Sequence, residues 1–282
     1  MTFKIIQDII DRLRGKIFGL KPMVTKAVLA ENLNDMRTLI IGSSHIEFGY
    51  IPSNDEICLA SPSQDLYNSY YLYKLFSQKY KNLKNIIVSF SVFTPGHSLI
   101  KTGHANLCIL YKYLYGINYQ SEEDAKNKNL YRLEKWYSDE INKYRNEVSY
   151  PSDYRGARML QKKDFKPFNI KEIHERALKH LKNNRREVSQ MVWAEKILQE
   201  ASQNGHNVYF VIPPFTSIYK EVLPSAEELF KELYSLNNNF TNSKIIDLFS
   251  SEKFSDEDFV DGDHLSEEGA AKLTQIVKSF MA

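Results

Sequence analysis

Two short segments, far apart in the chain, hold residue types that can do nucleophilic chemistry together. The first is Ile40-Ile41-Gly42-Ser43-Ser44-His45. Small residues at a strand end permit a tight turn that sets a hydroxyl at the start of a helix. There, unpaired N–H groups and the helix dipole favour developing negative charge. Alone this is a common turn. The second segment, Phe259-Val260-Asp261-Gly262-Asp263-His264-Leu265-Ser266, places an acid three residues before a histidine, just ahead of an apolar helix. An imidazole in that loop can reach across the carboxyl edge of a sheet. Asp261 can turn back, accept the imidazole N–H, fix the tautomer and stabilise the imidazolium. The pairing predicts Ser44 as nucleophile, His264 as general base and Asp261 as the orienting acid. A divalent-cation loop of Asp261, Asp263 and Glu267 is the competing reading. Calcium loops need more oxygen ligands at regular spacing, so no metal site is expected.

Further candidates stand near the same edge. His45 beside Ser44, and His97 after the third strand, are candidate substrate contacts by position, although the competing and favoured reading has His45 pointing along the helix start. His104, His174, His180 and His206 fall in helical or turn contexts that require no special role. Pro213-Pro214-Phe215 can form a rigid pocket wall or simply end a strand.

The elements that must position these residues are legible as patterns. Five short apolar runs are bounded by polar or turn-forming residues: Thr38 to Ile41, Glu56 to Ala60, Asn85 to Phe90, Asn207 to Ile212 and Lys244 to Leu248. Continuous rather than alternating apolar runs indicate strands buried on both faces of a parallel sheet. Helical patterns lie between them: Leu66 to Tyr80, a long stretch from Lys171 to Gln203 stopping at Asn204-Gly205, Ser225 to Leu236, and Ser266 to Met281. Alternating strand and helix predicts an α/β fold. This is a three-layer α/β/α sandwich on five parallel strands in flavodoxin-like order, with ligands beyond the strands' carboxyl ends. The catalytic part is expected over 31–282. A mainly helical, Tyr-rich insertion is expected at about 96–205, and residues 1–30 form a lead-in.

Composition bounds the function classes. With 43% hydrophobic and 26% charged residues in 282, a core can be buried without metals or disulfides. A net charge of +2 and the lack of any RNA- or DNA-binding signature give no argument for nucleic acid. The two cysteines, Cys58 and Cys108, read as small core hydrophobes and suit a reducing compartment. Residues 2–20 mix Ile5, Ile6, Ile9, Ile10, Leu13 and Phe18 with Lys4, Arg12, Arg14 and Lys16. That spacing makes an amphipathic basic helix, not a signal peptide or a bilayer span. It suits an anionic membrane surface, or packing on its own domain or on a second copy in a homo-oligomer. With 18 Tyr and 16 Phe, the chain has rings to offer sugars.

Together the two segments resemble the SGNH (GDSL) hydrolase superfamily. Its nucleophile block is Gly-Asp-Ser-like after the first strand, and its last block is Asp-x-x-His before the final helix. Gly42-Ser43-Ser44 and Asp261-Gly262-Asp263-His264 are the matches, with Ser43 standing where the family has Asp. This variant, with Leu59-Ala60-Ser61-Pro62-Ser63-Gln64-Asp65-Leu66-Tyr67 after the second strand, looks more like members serving bacterial surface-polysaccharide assembly. The D-alanine transfer proteins of teichoic acid synthesis share the Gly-Ser-Ser form. The resemblance implies an oxyanion hole at the N–H groups of Ser44 and Ser63, the latter standing where the family has Gly. For the family's missing Asn, either Ser91 stands in or the hole relies on backbone N–H groups alone.

The implied activity is O-acetyl transfer to a capsule or other surface polysaccharide through an acyl-serine. Acetyl-CoA is the expected donor, and cytoplasmic work beside polymer synthesis is expected. Donor phosphates or an acidic polymer have candidate contacts in Arg155, Arg158, Lys162 and Lys163, or in Lys182, Arg185 and Arg186. A carbohydrate esterase and a silent SGNH-like scaffold are the alternatives.

Overall fold

A computed structural model describes residues 19–165, 167–184 and 189–281. The amphipathic stretch 2–20 lies outside them except for Gly19 and Leu20, as do Arg185 and Arg186. None of the described helices is long and apolar enough to cross a membrane.

Five strands form one sheet: β1 (Thr38–Ile41), β2 (Glu56–Cys58), β3 (Asn85–Ser89), β4 (Asn207–Ile212) and β5 (Ser243–Asp247). Their order is β2-β1-β3-β4-β5 and every pairing is parallel, which is the flavodoxin-like order expected. The apolar runs are continuous because the central strands are covered by helices on both faces; β1 is buried at all four positions and β4 at all but its first. One core cluster joins Ile40, Ile87, Val211 and Ile246 from the strands to Ile46, Leu265, Leu273 and Val277. The loops leaving the carboxyl ends of β1 and β3, and the one before the last helix, are thereby fixed at one edge.

The stretch read as a single helical pattern from Lys171 to Gln203 is two helices, Ile170–Asn184 and Met191–Asn204. The end of the first is tied to the turn after β3. Asn184 Nδ2 donates to the Val92 carbonyl at 2.6 Å, and the Asn183 and Asn184 carbonyls lie where a Cβ on Gly96 would sit. The second starts on Ser189, whose Oγ accepts from Met191 N–H, and stops at Gly205 in the left-handed region (φ 70°).

The chain divides into two compact units. One comprises residues up to Asn32 and Leu99–Ser152. Its helices Leu20–Asn32, Leu107–Tyr115 and Leu130–Glu147 are joined by ion pairs such as Arg145–Glu31 and Lys112–Glu134. The other comprises Leu33–Ser98 and Asp153–Ala282, and holds the sheet and every site residue discussed below. Residues 99–152 of the expected insertion fall in the first unit and 153–205 in the second.

Candidate active site

The turn after β1 needs its glycine. Gly42 has φ +122°, and a Cβ there would come 2.7 Å from the Ser89 Cβ on β3. Ser43 follows in extended conformation and Ser44 opens the helix Ser44–Gly49. The Ser43 carbonyl accepts the first two intrahelical bonds, from Ile46 and Glu47. The N–H groups of Ser44 and His45 come before those bonds, at the end where the helix dipole is positive.

The loop before the helix Glu267–Met281 is pinned on both sides. Val260 N–H donates to the His264 carbonyl and Ser266 N–H to the Asp258 carbonyl, while Phe259 and Leu265 form an antiparallel bridge. Thr216, just beyond β4, donates its hydroxyl to the Gly262 carbonyl at 2.8 Å. Within the loop, Asp261 Oδ1 accepts the backbone N–H groups of Asp263 and His264, and Asp261 Oδ2 lies 2.8 Å from His264 Nδ1. His264 Nε2 lies 2.9 Å from Ser44 Oγ, closing a Ser44–His264–Asp261 chain. With Nδ1–H donated to the carboxylate, Nε2 is left to accept the serine proton.

Two rings hold the imidazole. His45 stacks on it at 5.4 Å, and Phe48, with the Arg158 guanidinium over its ring, meets it edge-on at 5.3 Å. The site is sheltered: Ser44 is 9% exposed and His264 8%. Burial opposes the charged imidazole of His264, but Asp263 and Asp261 outweigh it and hold its pKa above the ordinary histidine value.

His45 differs from its expected part as a substrate contact. Its Nε2 lies 3.0 Å from Asp263 Oδ2 and its Nδ1 3.0 Å from Ser43 Oγ, so both ring nitrogens are occupied by protein. Burial lowers its pKa despite the Asp263 bond, so Nε2–H donates to the carboxylate and Nδ1 accepts from Ser43. His97 also turns to protein, its Nε2–H donating to the Ser63 carbonyl at 3.0 Å. Ser63 sits at φ 60°, the backbone region that favours glycine. Ser91 is fully buried; its N–H donates to Thr94 Oγ1, and its Oγ has no hydrogen-bond partner among the described residues. The structure corrects two of the anion contacts. Arg158 pairs with the buried Glu47 at 2.8 Å, and Arg155 bonds Asn54 and the Tyr154 carbonyl. Lys162, Lys163 and Lys182 are exposed. Phe215 of the Pro213-Pro214-Phe215 turn packs edge-on against His45 at 5.6 Å and stacks on Tyr219.

Two residues complete the surroundings: Arg176, which the sequence reading did not single out, and His180, which it gave no special role. The helix Ile170–Asn184 lays Ile173 and Ala177 inward, and the same stripe carries Arg176 and His180. Arg176 Nε lies 2.5 Å from Asp263 Oδ1; His180 Nδ1 lies 3.8 Å from Asp263 Oδ2 and is hydrogen-bonded to Tyr219 at 2.6 Å. Burial pushes the His180 pKa down to about 3. A cation and a histidine at i and i+4 beside two apolar positions was the available signal.

His45, Asp263 and His264 bring potential ligand atoms within 4.8 Å of one another. The Asp263 charge already meets Arg176, and His45 presents an N–H there, so the set suits hydrogen bonding better than a cation. A cavity of about 520 Å³ adjoins the loop, lined among others by Phe165, Phe168, Ile173, Arg176, Lys179 and Asp261.

No protein-family model matches the sequence, and no curated protein matches it. Solved structures do match. One is the crystal structure of a "putative acylhydrolase" from Bacteroides fragilis, with 10% identity and a TM-score of 0.41, covering 90% of this chain and 93% of that one. At that distance the likeness adds nothing to the geometry of the site.

Proposed function

We propose that the chain is a serine-dependent O-acyltransferase that moves an acetyl group from acetyl-CoA to a hydroxyl of a bacterial capsule or other surface polysaccharide. The observation that carries the reading is the unbroken chain from Ser44 Oγ through His264 to Asp261, with links of 2.9 and 2.8 Å. Ser44 attacks the thioester carbonyl while His264 takes its proton. The tetrahedral oxyanion is held by the N–H groups of Ser44 and Ser63, with Ser91 Oγ as a third donor. Collapse expels the thiol, which leaves with the proton from His264. His264 then deprotonates the sugar hydroxyl that attacks acyl-Ser44, and returns that proton to Ser44 on release.

Shelter of Ser44 and His264 supports transfer over hydrolysis, because a site that excludes bulk water spares the acyl-serine for a bound acceptor. Phe165 and Phe168 in the adjoining cavity offer ring faces to a sugar, and Lys179 a cation to donor phosphate. Mass spectrometry of the protein with acetyl-CoA, with and without a panel of polysaccharides, tests the reading. Polymer-dependent acetyl-CoA consumption that Ser44→Ala abolishes supports it. Hydrolysis of p-nitrophenyl acetate with no polymer acetylated would replace it with a carbohydrate esterase, and inertness to both with a scaffold.

A further inference from the structure

Behind the Ser44 chain runs a second one with the same residue types. Ser43 Oγ, His45 and Asp263 are linked at 3.0 and 3.0 Å, with the histidine reversed so that Nδ1 meets the serine and Nε2 the carboxylate. Asp263, not Asp261, is the more deeply placed acid. Its side chain is fully buried, whereas that of Asp261 is 33% exposed. One carboxylate thus touches three segments: the nucleophile turn through His45, the cover helix through Arg176, and the base loop to which it belongs. It also lies 3.9 Å from His264 Nδ1, beyond hydrogen-bond reach but close enough for its charge to act.

We propose that Asp263, clamped between His45 and Arg176, is a positioning residue that fixes the His264 loop in register with the Ser44 turn; its catalytic meaning rests on the acyl-transfer reading above. A buried carboxylate would be costly alone. Here Arg176 balances its charge and His45 supplies a donor. Burial would raise the Asp263 pKa, but the His264, Arg176 and His45 groups outweigh it and hold it well below the usual carboxylate range. The groups facing His264 are Asp261 and Asp263 from its own loop, His45 from the nucleophile helix, and Arg176 and His180 from the cover helix. Asp263 favours the imidazolium and Arg176 disfavours it. The two partners of one ion pair therefore act on His264 with opposite sign.

The test is an NMR titration of His264 in ¹⁵N-histidine-labelled protein, together with the pH dependence of p-nitrophenyl acetate hydrolysis. Asp263→Asn should lower the His264 midpoint, by about one pH unit for a charge within ~4–6 Å, and Arg176→Gln should raise it. Arg176→Lys, which keeps the charge, should restore the midpoint. In the Asn variant kcat should fall roughly 10–100-fold from misplacement, with KM changed far less. Shifts in the same direction, or no shift in variants that keep the wild-type near-UV spectrum, would overturn the proposal. If Asp263→Asn does not fold, the comparison of Arg176→Gln with Arg176→Lys decides. The NMR midpoint needs no turnover: opposed shifts in a protein inert to esters would sink the acyl-transfer reading and leave the clamp standing.

Discussion

Gly262 lies directly beneath Ile173: a Cβ added at 262 would come 2.7 Å from Ile173 Cγ2. The loop between Asp261 and His264 is therefore packed against the cover helix with no room for a methyl group. Gly262→Ala should destabilise the fold by about 1–3 kcal/mol, the usual cost of overpacking, and should reduce esterase activity by moving His264. Urea midpoints for Gly262→Ala, Ile173→Ala and the double variant check this. The pair should couple, the double variant recovering part of the loss; simple additivity would refute the contact.

Ser44→Ala should remove acyl transfer and ester hydrolysis without unfolding the protein. Asp261→Asn should cost roughly 10³–10⁴-fold in kcat, because an amide in that place cannot hold the same histidine tautomer. Single-turnover assays with circular dichroism as the folding control measure both. A loss under tenfold in the Asn variant would mean that Asp261 does not orient the base.

The rate should depend on pH with the sign set by His264. The base must be neutral to take the Ser44 proton, and Asp263 and Asp261 hold its pKa above the ordinary value of about 6.5. The acid limb of kcat/KM should then have its midpoint above 6.5, with activity rising as pH rises through it. A profile already flat at pH 6.5 would contradict this.

Ser63 occupies a left-handed backbone position at φ 60°. Ser63→Gly should relieve about 1 kcal/mol of strain and raise the urea midpoint. It should leave the ester rate intact, since the N–H proposed for the oxyanion is kept. A large loss of ester rate in the Gly variant would show that the serine side chain, not its N–H, serves the site.

His180 links stability to acid. Burial gives it a folded pKa of about 3, against about 6.5 when unfolded. The folded pKa is depressed, so the contribution of the neutral ring is complete above 6.5 and lost as pH falls from 6.5 toward 3. His180→Phe should flatten the fall of unfolding free energy between pH 6 and 4 by up to about 1.4 kcal/mol per pH unit. An unchanged slope would show that this ring does not stay neutral.

Much of the frame is legible in the sequence. The runs Thr38–Ile41, Asn85–Phe90 and Asn207–Ile212 read as buried parallel strands because they are apolar at consecutive positions, and strands form over nearly the same residues. Parallel pairing followed from helices alternating with strands. The division of Lys171–Gln203 into two helices was less visible. What marks it is a tertiary tether, Asn184 on the turn after β3, which leaves no local signature.

The amino-acid sequence by itself determined that Ser44 and His264 would meet. A hydroxyl after the first strand and a histidine before the last helix are both carried to the same sheet edge by a parallel topology, whatever the side-chain details. It also determined that Asp261 could reach back to His264, since three residues of loop suffice. Only the tertiary structure decided what surrounds that chain. His45 was expected near substrate, yet its ring is consumed by Ser43 and Asp263. Arg176 and His180 stand far from the base in the chain, and their i, i+4 spacing marks one helix face without saying what that face meets. Their roles arise because one helix face packs on the Asp261–His264 loop, and burial there makes a carboxylate seek a cation.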